Sequence, residues 1–422
     1  MPDQRPRSRK DAAADREGVL RTALAIASRV GFDGTRMAAV AAESGQSESF
    51  VYWHFRNKDN LVARAVEYGY HKRRERGQTW ITPEPGHERL DALRRNFAGP
   101  DGYELTEHEP WRLGLMLSLE RRDSAALETF TVMRNETIDR VRHWWSGSLD
   151  TSRLADPDGA AAFLTHLTLA AHDGHFLSRA SRRPSVDRSP VLLAHALEAV
   201  ARRLESGVVP PSPDAPSTIE RRVPDEPTTV KQALLRAAAA EVTAHGPDGA
   251  SVARICEVAG TPPTSLYWWF DDRSSLIAAS ITEIHNDWRR VAPRAESIPD
   301  GSFTEVTEEF SRRWLTAMLL EPDMPRVLNM EALHHDRSTT EAHALLETIR
   351  VTSHMDLAAL FRRTLPADTQ ACADELAYFA EAVADGLFVA AHVDRRYLAL
   401  EKSAPAMAVM VEAALAAGLE DS

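Results

Sequence analysis

The stretch GFDGTRMAAVAAESGQSESFVYWHFRNKDNL, Gly31 to Leu61, decides how the rest of the chain is read. A short apolar helix ends at Gly45, a tight turn follows, and a second short helix runs from Ser47 to Phe55, closing on the aromatic run Tyr52-Trp53-His54-Phe55. Two short helices joined by a glycine turn fit a helix-turn-helix. The second helix carries polar residues on the face that such a motif turns toward a DNA major groove.

The stretch recurs. A shift of 215 positions, with no gap, carries Gly31, Gly34, Gly45, Tyr52, Trp53, Phe55, Lys58 and Leu61 onto Gly246, Gly249, Gly260, Tyr267, Trp268, Phe270, Arg273 and Leu276. Agreement this dense identifies two copies of one unit.

These residues resemble the tetracycline-repressor (TetR) family of bacterial transcriptional regulators. Its signature is an amphipathic helix, G-[FY]-x-G-[TA], a short helix, a glycine, a few polar residues, then L-Y-x-H-F-x-[NS]-K-x-x-L. The first copy follows it nearly throughout, from Tyr52 to Lys58, with Val51 in place of the leucine. The second keeps Leu266-Tyr267-Trp268-Trp269-Phe270, then departs with Asp271-Asp272-Arg273. The resemblance implies an all-α fold: in each copy, a helix-turn-helix head on a helical body for ligand binding and dimerisation. It implies a DNA-binding regulator, most simply a ligand-responsive repressor, working on double-stranded DNA in the cytoplasm.

Composition agrees. The 422 residues exceed one usual domain, and each half has the length of a complete family subunit. Alternating strand patterns are not visible, so the chain reads as all-α. Cys256 and Cys372 are too few and too far apart for a disulfide framework or a metal site. MPDQRPRSRK lacks an apolar targeting segment, and no run of about 18 apolar residues stands out, so neither secretion nor a membrane span is expected. Net charge is −12, yet residues 1–76 hold 15 Lys+Arg against 10 Asp+Glu, while residues 221–295 hold 9 of each. A basic first head on an acidic remainder suits a protein that approaches phosphates by one end.

Residues 1–14, with Arg5, Arg7, Arg9 and Lys10, read as a flexible basic arm. The first head spans 15–76. Its helix one, Arg16 to Val30, sets Leu20, Ala23, Leu24 and Ala27 on one buried stripe. Thr35 is the expected N-cap of helix two, Arg36 to Ser44. In the first turn of helix three, Glu48 suits cytosine N4, Ser49 either kind of base edge, and Phe50 a thymine methyl. Tyr52, His54 and Lys58 are expected at phosphates, which fixes position and not sequence. Arg36, Gln46, Ser47 and Trp53 complete the first DNA-binding set, although the aromatics also suit a small core. Asn57 is the expected cap of helix four.

The first body, 77–205, reads as helices near 88–97, two between Pro110 and Trp145, then 160–180 and 190–205. Trp111, Met116, Glu120, His166, His172 and Phe176 are its candidate ligand-pocket lining, chosen for helix and polarity. Asp173-Gly174-His175-Phe176 returns as Asp385-Gly386-Leu387-Phe388, which supports duplication of the whole unit. Residues 206–228, rich in proline, read as a stiff linker able to span up to about 70 Å at ~3.1 Å per residue.

The second head spans 229–290 and the second body 291–422. Helix three of this head opens Thr261-Pro262-Pro263, a cap followed by proline at the first helical position. Thr261, Thr264, Ser265, Tyr267, Trp268 and Arg273 are its DNA-binding candidates. Two prolines, two acids and Trp269 in place of His54 remove donors from that surface. His334, His335, His343 and His354 fit no compact zinc spacing. No G-x-S-x-G, P-loop, G-x-G-x-x-G or H-E-x-x-H occurs, so neither an enzyme nor a cofactor is expected.

Two arrangements follow. In one, the two units form an intramolecular pseudo-dimer on an asymmetric operator. In the other, only the first head touches DNA, the second copy is a dimerisation or sensing module, and the chain homodimerises.

Overall fold

The structure, a computed structural model, describes residues 9–76, 80, 88–98, 109–120, 123–180, 189–210, 219, 226–334, 340–393 and 400–420. The chain is all-α; among the described residues there is no strand. The first copy supplies α1 (Arg9–Gly34), α2 (Met37–Ser44), α3 (Glu48–Phe55), α4 (Lys58–Arg76), α5 (Arg89–Ala98), α6 (Glu109–Leu119), α7 (Ala125–Ser148), α8 (Pro157–Ala180) and α9 (Ser189–Glu205). The second repeats the order: α10 (Val230–Gly249), α11 (Val252–Val258), α12 (Pro263–Leu266), α13 (Arg273–Val291), α14 (Phe303–Leu320), α15 (Asp323–Leu333), α16 (Glu341–Thr364), α17 (Ala373–Val393) and α18 (Ala404–Glu420).

The helices gather into two compact units. The first comprises Met1–Gln78, Tyr103–Glu136 and His334–Asp336; the second comprises Thr79–Gly102, Thr137–Leu333 and Arg337–Ser422. The linker expectation lies within the second unit, and its residues 211–218 and 220–225 fall outside the described set.

In the first unit, α1 packs on α4 and α6. Its stripe, Val19, Leu20, Ala23, Leu24 and Ala27, is buried with Leu61, Val62, Ala65 and Val66 of α4. The helix bends at Gly31, whose φ of 73° lies in the left-handed region open to glycine at little cost. Gly246 repeats the bend at φ 71° in α10.

Two expectations about this helix need correction. Residues 9–14, read as part of a flexible arm, belong to α1; residues 1–8 lie outside the described set. Ala12, Ala13 and Ala14 are strong helix formers, and extending an existing helix needs no new nucleus. Thr35 does not cap α2: Arg36 is the extended N-cap residue, with no side-chain bond, and the Thr35 hydroxyl donates to the Gly31 carbonyl at 2.8 Å.

The second unit is built on four long helices. α8 and α9 of the first copy pack on α17 and α18 of the second, in the pairs α8–α17 and α9–α18. At the α8–α17 crossing two glycines meet. A Cβ on Gly174 would lie 1.7 Å from the Ala382 carbonyl oxygen, and one on Gly386 would lie 1.8 Å from that of Ala170. The relation is reciprocal, and only residues without a Cβ permit so close a backbone approach. α5 closes on α9 through Arg89, whose guanidinium donates to Glu198 at 2.7 and 3.1 Å and to Glu205 at 2.6 and 3.0 Å.

The segments Gln370–Val393 and Leu400–Leu419 are long and apolar enough to cross a membrane, which the composition had not suggested. Burial within the protein covers 72% of one window and 56% of the other, as core helices of a bundle require.

Candidate nucleic-acid interface

In the first head the turn forms because Gly45 takes φ 69° as C-cap of α2, and Gln46 N–H donates to the Ala41 carbonyl at 3.0 Å. Ser47 then caps α3, its Oγ accepting the Phe50 N–H at 3.2 Å. Val51 and Phe55 are buried and seat α3 on the head. The opposite face is open: Glu48, Ser49 and Tyr52 are exposed, and Trp53 is 78% exposed, so it is no core residue.

Other predicted residues have internal partners. His54 lies between Phe50 and Trp53, with ring centroids at 4.3 and 4.5 Å. Burial, and then Arg16, push its imidazole below the ordinary value of 6.5, which favours the neutral form. Gln46 donates to Asp15 at 3.1 Å, and Arg36 is exposed.

Lys58, expected at a phosphate, instead donates to the carbonyls of Phe32 at 3.0 Å and Asp33 at 3.4 Å, 4.5 Å above the Phe32 ring. It holds the C-terminal end of α1, where a cation is favoured by the helix dipole. Asn57 accepts the Asn60 N–H at 2.8 Å, capping α4. One residue was overlooked. Arg56, exposed and at φ 61°, adds a cation directly after α3. Its place between Phe55 and Asn57 in the signature string was the available signal.

The second head keeps the turn and loses the helix. Gly260 takes φ 63°, and Thr261 N–H donates to the Cys256 carbonyl at 2.9 Å. α12 then makes a single turn of four residues against eight in α3. The expected start is off by one: Pro262 is the N-cap and Pro263 the first helical residue. Pro262 has no side-chain oxygen to accept an N–H, so the capping supplied by Ser47 is missing.

Leu266 and Phe270 remain buried, while Trp268 is 85% exposed and Tyr267, Trp269 and Thr264 are also exposed. Thr261 and Ser265 are half-buried. Asp271 and Asp272 stand where the first head has Arg56 and Asn57, and Asp272 forms a reciprocal cap with Ser275. Arg273 repeats the Lys58 contact, donating to the carbonyls of Pro247 at 2.6 Å, Asp248 at 3.0 Å and Ala250 at 2.9 Å. Both cations thus serve the fold of their own heads.

The six pocket candidates of the first body are divided. Trp111, Met116 and Glu120 belong to the first unit, all buried. Trp111 stacks edge-on against Phe130 at 5.4 Å, and Met116 and Glu120 lie within 4 Å of the Cβ that Gly31 lacks. His166, His172 and Phe176 line α8 in the second unit, where His172 approaches Asp173 at 3.8 Å.

The cavity on view is in the second copy. It measures about 440 Å³ and is bounded by His285 and Trp288 of α13, Phe310 and Trp314 of α14, Leu328 of α15, Ile349 and Arg350 of α16, and Glu381 and Asp385 of α17. Its tryptophans sit at helical spacings that also suit plain core, so the sequence alone did not mark it. Among the described residues no group of His, Cys, Asp and Glu is placed to hold a metal ion.

Two segments, residues 19–65 and 234–280, match the family described as "Bacterial regulatory proteins, tetR family". The matched segments begin 215 positions apart, the spacing of the repeat. No curated protein matches the chain. Similar solved structures include a TetR-family transcriptional regulator from Rhodococcus sp. (18% identity, 45% of this chain, 99% of that one, TM-score 0.36). Another is a transcriptional regulator from Rhodococcus sp. Rha1 (23%, 46% and 99%, TM-score 0.34). A third is a transcriptional regulator from Pseudomonas aeruginosa PAO1 (22%, 46% and 90%, TM-score 0.35).

Proposed function

We propose, from the premise that this chain belongs to the tetR family of bacterial regulatory proteins and carries its unit twice, that it is a ligand-responsive transcriptional repressor pairing its two halves within one chain. Members of that family are DNA-binding transcriptional regulators. The observation that carries the internal pairing is the reciprocal crossing of Gly174 and Gly386, which joins α8 of one copy to α17 of the other. A homodimer places two copies of one helix at such a crossing; here both come from the same polypeptide.

The first head is the reader. Glu48, Ser49 and Phe50 open α3, where such motifs meet base edges, and Tyr52, Trp53, Ser47, Arg36 and Arg56 surround them for the backbone. The second head contributes less, since α12 is one turn long and carboxylates follow it. The operator is therefore asymmetric, with one strong half-site. The cavity of the second copy is the effector site, and bound effector shifts the population between DNA-competent and released forms. The cytoplasm is the compartment such work requires.

Light scattering on the purified protein and selection from random duplex DNA test this reading. A monomer that selects one strong half-site, losing it with Tyr52→Ala and largely keeping it with Tyr267→Ala, is the expected result. An obligate dimer selecting a palindrome through Tyr52 would support the homodimeric alternative, which the short α12 also favours. Absence of any salt-dependent attraction for duplex DNA would overturn both.

A further inference from the structure

The second head holds an aromatic run open to solvent in surroundings that turn phosphates away. Tyr267, Trp268 and Trp269 are 63%, 85% and 51% exposed. Their backbone is fixed: the N–H groups of Trp269 and Phe270 both donate to the Leu266 carbonyl at 3.0 Å, and buried Leu266 and Phe270 anchor the run on either side. α11, packed on α12, ends on exposed Val258, where the first copy has Glu43. Large apolar side chains concentrated this way on a rigid frame mark an interaction surface.

The charges around it decide the partner. Exposed Glu257, Asp271 and Asp272 stand where the first head has Ala42, Arg56 and Asn57. The cations of residues 251–276 are Arg254 and Arg273, and both are engaged within the head. Arg254 donates to Glu241 at 2.7 Å and to the Gly249 carbonyl at 2.8 Å; Arg273 donates to the carbonyls of Pro247 and Ala250. Carboxylates beside an aromatic face repel duplex DNA and, at a net charge of −12, a second copy of the chain. They attract guanidinium groups, which pair with carboxylates and stack on aromatic rings.

We propose that this face of the second head docks an arginine-rich segment of another protein, with guanidinium groups on Tyr267, Trp268 and Trp269 and beside Glu257 and Asp271. The inference rests on this head's small share in DNA contact.

Titration of the full-length protein at physiological salt with a fluorescent peptide of alternating Arg and Gly, and with its Glu counterpart, tests this; duplex DNA carrying the selected half-site is titrated alongside. The arginine peptide is expected to bind and the glutamate peptide not. Trp268→Ala and Asp271→Arg, at exposed positions that tolerate substitution, should each weaken the arginine peptide at least about tenfold. Glu308→Arg, the same change of charge at an exposed position of α14, should leave its affinity within about twofold. No binding of the arginine peptide, equal binding of the glutamate peptide, or an equal loss in Glu308→Arg would overturn the docking site, and with DNA affinity unmoved by Trp268→Ala the asymmetric reading would stand. Self-association that Trp268→Ala abolishes would overturn it too, by giving the face to a second copy. If Trp268→Ala weakens duplex DNA as much as Trp53→Ala does, the face is a DNA surface and both readings fall.

Discussion

Alanine in place of Gly386 tests the crossing on which the internal pairing depends. The new Cβ would stand 1.8 Å from the carbonyl oxygen of Ala170 and 2.7 Å from the backbone nitrogen of Gly174. Both neighbours are backbone, so no rotamer change relieves the overlap. Restoring an ordinary carbon–oxygen approach of about 3.3 Å moves α8 and α17 apart by roughly 1.5 Å. A gap larger than about 1 Å forfeits more than half of the dispersion attraction along the seam. Overpacked cores lose about 1–3 kcal/mol, and a rigid seam belongs at the upper end. Urea unfolding followed by far-ultraviolet circular dichroism should show the second unit's midpoint falling by about 1 M, for a slope of ~3 kcal/mol/M. Gly174→Ala should do the same, its Cβ meeting Ala382 O at 1.7 Å. The double variant is the decisive one. Once one alanine has parted the helices, the second finds room, so the two losses should fall short of additive by about 0.5–3 kcal/mol. Single losses under about 0.5 kcal/mol, or full additivity, would refute the close crossing.

Lys58→Met should cost the first head about 1 kcal/mol by removing the cation at the end of α1, while Lys58→Arg, the arrangement of Arg273, should be tolerated. Because Lys58 serves the fold, the salt slope of DNA binding should hold for Lys58→Met, whereas loss of a phosphate contact would lower it by about 1. Arg89→Met leaves Glu198 only Arg202 and Glu205 only the Asp150 N–H among these contacts, and chemical denaturation should show a loss of about 1.5–3 kcal/mol. Burial, helped by His172 and Arg179, lowers the pKa of His175 from 6.5 to about 3. The unfolded chain therefore binds this proton first, so the stability it contributes is complete above about pH 6.5 and declines as pH falls toward 3. His175→Leu should flatten the pH dependence of unfolding in that window, read from denaturation at matched ionic strength.

The helices and the repeat were legible because the signals are local. Apolar spacing at three and four residues, and glycines at 31, 45, 246 and 260, carry their meaning within one turn of chain. The starts of α2 and α12 missed by one residue, because an extended residue was interposed where a side-chain cap was expected. Lys58 illustrates a deeper limit. In the signature string it looks like a phosphate ligand; only the fold reveals that the carbonyls of Phe32 and Asp33 are in reach. The cavity escaped for the same reason: its walls come from five helices, and no one helix shows that a void lies before Trp288 or Glu381.

The two heads, compared position by position, show what joining the copies in one chain allows. In a homodimer every change in a head alters both half-site contacts at once. Here the copies have parted company along a physical line. Leu266 and Phe270 match Val51 and Phe55 in burial, Gly260 matches Gly45 in backbone, and Arg273 matches Lys58 in closing the end of the preceding helix. These are the parts that fold a head. Ser47 has become Pro262, Glu48 has become Pro263, and Arg56 has become Asp271. These changes remove the side-chain cap of the short helix and replace the cation that follows it with a carboxylate. Divergence reaches the inner set as well, where Glu241 stands at the position of buried Ile26, but the turn glycine, the two apolar anchors of the short helix and the closing cation are kept. It follows that restoring Ser at 262, Glu at 263 and Arg at 271 should lengthen α12 and raise DNA affinity without changing the stability of the head's core.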